Sequence, residues 1–195
     1  MTRRLALAVL LTLTLCGAVA SAVAQQSLFP NTKKNGRATV EFRNDGFKVV
    51  ANYDYSQRNH DTPWLLIDIA AASERRFTLH KKQITLVTPA GTVLPVAPQE
   101  ALIADAAGIT SLMQNSKIWR RPLAEYFSQR SRIEPLRFYA FPFGGVAFDE
   151  AVVDNDRVAL GELFFRTLEE KWKEGTYRLV VDHEKAKAAL PISLQ

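Results

Sequence analysis

The chain has 195 residues, of which 47% are hydrophobic and 23% charged, with a net charge of +5 and one cysteine. That balance fits one globular domain and excludes a disordered or collagen-like chain. A single cysteine excludes an internal disulfide framework, and so mild a charge does not by itself point to nucleic acid.

Residues 1–24 have the layout of a secretory signal peptide. Arg3 and Arg4 form a positive start and Leu5 to Leu15 an uncharged apolar run. Ala22 and Ala24 are the small residues before a cut ahead of Gln25. The apolar run is too short to remain as a membrane span. Cys16 raises an alternative, a lipid anchor, but Leu15 stands where such signals place a small residue. Cleavage before Gln25 removes the cysteine and two arginines but no acid, which lowers the net charge from +5 to +3. The expected location is periplasmic or secreted, with no transmembrane helix in the mature chain and no disulfide to support it.

The elements follow in chain order. Residues 25–36 are polar and turn-rich, a flexible lead-in with Lys33 and Lys34 solvated. In ATVEFR, Ala38, Val40 and Phe42 share one face. NDG makes a tight turn, and in FKVVANYDY the residues Phe47, Val49, Ala51, Tyr53 and Tyr55 share a face, which predicts a hairpin. PWLLIDIAA is apolar on both faces, as in the middle of a sheet or under another element. QITLVTPAGTVLPVAP is a second hairpin, with PAG at its turn and Pro95 suited to an edge strand.

Residues 97–135 change character. Ile109, Leu112, Met113 and Ser116 have helical spacing, Pro122 stops or starts a helix, and Leu123, Tyr126 and Phe127 share a face. Two or three short helices are expected in this insertion. LRFYAF and VAF are then expected strands around a Gly144-Gly145 turn. VALGELFF admits a helical period, but Gly161 is a poor helix residue and natural where a strand is closely approached, so Val158 to Phe165 is taken as a strand. TYRLVVD and ALPISL close the chain, with Tyr177, Leu179, Val181, Leu190, Ile192 and Leu194 inward.

The segments WLLIDIAAAS and ITLVTPAGTVLPVAP, followed by VALGELFFRT and GTYRLVV, resemble exported bacterial immunoglobulin-like domains of unknown function. Gly161, Leu163 and Phe165 match the G-x-L-x-F strand that precedes the last strands of such domains. The resemblance covers much of residues 37–96 and 136–195 and omits the insertion. It implies a mainly β fold, an antiparallel immunoglobulin-like β-sandwich with a short helical insertion, forming one domain over 37–195. It carries no catalytic residues.

Candidate chemistry is sparse. DEAVVDND places Asp149, Glu150, Asp154 and Asp156 close in sequence, but calcium-loop spacing is missing and a solvated turn is the expectation. His60, His80 and His183 lack metal-ligand spacing. No G-x-S-x-G and no nucleotide-binding glycine pattern occurs. No metal or cofactor is expected. The remaining candidate is SKIWRRPLAEYFSQRSR, where basic residues alternate with aromatics as in binding surfaces. Trp119, Arg120, Arg121 and Tyr126 form the candidate partner surface. The competing expectation is a cover, with aromatics packed on the sandwich and arginines in water.

The expected function is an exported binding or structural module that recognises a protein or envelope component rather than nucleic acid. A hydrolase centred on His60 or His183 is the alternative, and a cation-binding module the third. The processing expectation is checked by intact mass. The exported protein should match residues 25–195, whereas a product starting at a lipid-modified Cys16 would move it to a membrane surface.

Overall fold

The computed structural model describes residues 29–119, 122–140 and 145–195. The expected signal peptide, Arg120, Arg121 and the Gly144 half of the expected glycine turn lie outside the described residues. A six-stranded sheet has the order β1 (Thr32–Lys34), β2 (Thr39–Asn44), β3 (Phe47–Asn52), β4 (Trp64–Ser73), β10 (Arg157–Arg166), β8 (Arg132–Pro135). A four-stranded sheet packs against it in the order β12 (Ala186–Leu194), β11 (Gly175–His183), β6 (Ile84–Val87), β7 (Val93–Pro95). A third pair joins β5 (Phe77–His80) to β9 (Glu150–Val153). These pairings are antiparallel except β8 with β10, which is parallel. The molecule is therefore a mostly β, sandwich-like fold. Among the described residues no helix is long and apolar enough to cross a membrane.

The hairpins form where local chemistry asks for them. Asp45 and Gly46 both have positive φ, 46° and 74°, the conformation of the two-residue turn whose twist suits a hairpin. Ala38, Val40, Phe42, Phe47, Val49, Ala51 and Tyr53 lie in the core between the sheets, as their alternation predicts. The second strand was expected to reach Tyr55 but ends at Asn52, and a short helix, α1 (Asp54–Arg58), follows. Buried polar side chains hold that bend. Asn52 donates to Thr39 Oγ1 at 2.9 Å, the Ser56 hydroxyl bridges the Leu66 main chain, and Gln57 donates to the Ser193 carbonyl. The expected lead-in also departs from a loose tail. Phe29 is buried, Asn31 turns with a φ of 65°, and β1 adds to β2. Lys33 and Lys34 are exposed.

β4 lies between β3 and β10, and its register with β10 continues into the β5–β9 pair. Ala71 pairs with Ala159 and Phe77 with Val153, with the equally long stretches 74–76 and 154–156 between. DEAVVDNDRVALGELFF is accordingly strand, turn and strand. Asp154 makes the turn by accepting from the Asp156 main-chain N–H at 3.0 Å. β9 was not foreseen, and the strands expected at LRFYAF and VAF do not form. Residues 136–140 bond one by one to different partners: Leu136 to Leu160, Arg137 to Phe148, Ala140 to the Gln99 side chain. Without a common partner there is no ladder. The strand of this region is β8, at the end of the expected helical insertion.

The insertion makes a third layer. Its helices α2 (Gln99–Ala104) and α3 (Ala106–Ser116) pack Leu102, Ile109 and Leu112 onto Trp64, Leu66 and Phe164, the outer side of the six-stranded sheet. Met113 joins this cluster at its margin, so the foreseen helical face holds. A 3-10 turn at Leu123–Tyr126 covers Val50, Ala70 and Val158 beside it. Trp64 is buried and donates its indole N–H to Asp105 Oδ2 at 2.7 Å, while Asp105 Oδ1 accepts from Gly108 and caps α3.

Gly161 shows how tightly the returning chain lies on β10. A Cβ there would stand 2.6 Å from Leu136 Cβ and 2.9 Å from the Leu136 carbonyl oxygen. Replacing a strand glycine by alanine ordinarily helps, because glycine loses more freedom on folding. Here the sign reverses. Gly161→Ala should cost about 1–3 kcal/mol, the usual range for overpacking, and lower the urea midpoint without changing the slope. An unchanged or raised midpoint would show that 136–140 yields freely.

Candidate functional site

The candidate surface divides once it is placed. Trp119 is half-buried at the end of a 3-10 turn, and the Arg58 guanidinium lies 4.4 Å from its ring centroid. Arg58 also pairs with Asp54 Oδ1 at 3.2 Å. Trp119 thus ties the insertion to α1 through a cation–π contact. Tyr126 is half-buried against the cluster of Val50, Ala70, Leu123 and Val158. Its carbonyl accepts from Lys48 Nζ, which pairs with Glu41 at 2.9 Å and lies 5.2 Å from the Phe127 ring centroid. Burial raises the Glu41 pKa, but the hydrogen bond and charge of Lys48 outweigh it and hold the carboxyl below its ordinary value. Both aromatics therefore pack as the cover expects.

Beside them the insertion leaves apolar groups open. Ile118 is 80% and Ile133 55% exposed, unusual for side chains of that size. Ile133, Phe127 and Val158 line a hollow of about 360 Å³ with Ser128, Gln129 and Ser131 at its rim. Arg130 and Arg132 are exposed next to it in sequence. Composition pointed to this stretch, but not to Ile133 as its apolar contributor. That depends on β8 pairing parallel to β10, which no local pattern announces.

The acids each have a separate neighbour. Asp149 pairs with Lys81 at 3.0 Å, Glu150 lies 3.6 Å from His80, and Asp154 lies 3.6 Å from Arg157. Among the described residues no group of three His, Cys, Asp or Glu is placed to hold a metal ion.

The histidines are likewise apart in their contacts. His60 Nδ1 lies 3.2 Å from the Gln57 carbonyl oxygen. His183 stacks on Phe77 with centroids 4.3 Å apart, and its Nδ1 accepts from the Lys185 N–H. His80 is the one that meets an acid beside a hollow, of about 620 Å³, because it pairs with Glu150 across β5 and β9. The side chains described around that hollow include Lys81, Gln99 and Asp149 but none with a hydroxyl. A nucleophilic hydrolase needs one, or a thiol, within reach of the base. Tyr139 does not provide a proton-transfer group. Burial pushes its pKa far up, and its hydroxyl is engaged with the Phe164 main chain. Comparison with protein-family models, with curated proteins and with solved structures finds no match to this chain.

Proposed function

We propose that the chain is an exported binding module, an immunoglobulin-like sandwich that presents its insertion to a protein or envelope partner in the periplasm or outside the cell. The observation that carries this reading is the hollow lined by Phe127, Ile133 and Val158, with Glu125 in its wall and exposed Arg130 and Arg132 next to lining residues in sequence. An apolar recess takes a partner's apolar side chain. Trp119 and Tyr126, on either side of Arg120 and Arg121 in sequence, are held by packing and by the Arg58 and Lys48 contacts. The hydrolase alternative, centred on His60 or His183, gains no support from their contacts, and around the hollow beside the His80–Glu150 pair no described side chain carries a hydroxyl or thiol, so binding is the better supported function.

The test separates recognition from cover. Arg120→Ala with Arg121→Ala should barely alter stability if both arginines are solvated, and Ile133→Asp, at an exposed position, should shift it by no more than roughly 0.5 kcal/mol. Each should lower partner recovery from the native envelope by about tenfold, the loss of roughly 1–2 kcal/mol at a central contact. Full recovery with both variants at unchanged melting temperature would refute the binding face. A large fall in melting temperature would make the residues structural instead.

A further inference from the structure

The end of the sandwich that bears Trp64 and Arg166 has a second apolar recess, unrelated to the insertion. It measures about 330 Å³ and is lined by the turn between β6 and β7 on one side and by residues 167–177 on the other. Trp172 and Tyr177 lie at its buried side, edge to face with centroids 5.4 Å apart. Trp172 donates to the Pro63 carbonyl and Tyr177 to the Lys173 carbonyl, so this wall is fixed before anything binds. Leu168 belongs to the same lining, yet its relative exposure is 102%. Val93, on the edge strand β7, is 59% exposed beside Leu94 of the recess.

An apolar knob and an apolar hollow on one face are self-complementary. A two-fold axis between two copies lets each Leu168 enter the other's recess. Glu169 and Lys173 pair within one copy at 2.8 Å, and Lys171 and Glu174 beside them carry opposite signs, so the same rotation can set acid against base. A partner of one dominant charge would find no such match. We infer that this end of the sandwich is an isologous contact between two copies of the chain, with Leu168 as the reciprocal anchor.

Sedimentation velocity of the mature protein tests it over a concentration series from roughly 1 to 500 μM, where mass action populates a weak dimer. The weight-average mass should rise toward about twice the monomer value. Leu168→Asp removes the knob, and Ala90→Trp, in the exposed turn, fills the rim of the hollow. Each variant should stay monomeric across the series. Their melting temperatures at the lowest concentration should equal that of the parent, because neither side chain packs in the core. A parent that remains monomeric at the highest concentration overturns the proposal. So does a dimer that persists in both variants, since its contact must then lie elsewhere.

Discussion

Leu65, Ile67 and Ile69 point from β4 into the space between the two sheets, while Trp64, Leu66 and Ala70 point the other way. Its neighbour β10 does the same, with Leu163 and Phe165 on one side and Val158 and Phe164 on the other. Two packed sheets bury only one side of such a pair. Leaving the other wet would expose a broad apolar strip at the centre of the larger sheet, with the loss of about 25 cal/mol for each Å² not buried. The described segments between β7 and β9 answer that requirement. α2 and α3 cover one half of the outer side, the Leu123–Tyr126 turn covers the other, and β8 with residues 136–140 closes the margin of β10. The length of the insertion is thus explained by packing first.

The free strand edges are treated in a consistent way. β1 is three residues long and carries two lysines, β7 ends in Pro95, and β8 is short, charged and ends in Pro135. Short, charged or proline-bearing edges resist pairing with a stray strand. β12 is long but contains Pro191 and lies against α1 and β2. Blunted edges keep transient opening from exposing ready templates for aggregation.

Much of this was readable from local pattern. Period-two alternation located both hairpins and the final strands, and the doubly apolar β4 announced its central place. Gly161 was read as a site of close approach, and Leu136 is what approaches it. What escaped is set by partners distant in sequence. β9 is a strand because β5 lies beside it, β8 because β10 does, and 136–140 is irregular because its bonds go to several partners. The same limit applies to the sites. The aromatic and basic stretch of the insertion was visible as composition, whereas the His80–Glu150 pair and the recess beside Leu168 exist only through registers and turns brought together by folding. The acidic run at 149–156, conspicuous in sequence, resolves into a strand and a turn, with Asp149, Glu150 and Asp154 each beside a separate basic partner.

Gln99 and Ala140 exchange two hydrogen bonds, side-chain amide to main-chain carbonyl at 2.9 Å and main-chain N–H to side-chain oxygen at 3.1 Å. This clasp joins the start of the covering helices to the segment just after β8, where the intervening chain has already rejoined the six-stranded sheet. A layer attached in that way is a natural unit of partial opening. It can lift while the two sheets stay closed, at a cost set by its own contacts rather than by the whole fold. Amide protons in α3 would then exchange with deuterium sooner than those of β11, in the four-stranded sheet, and together with one another. The protein would carry a stable frame and a separately cooperative lid, with its adaptable surface on the less stable of the two.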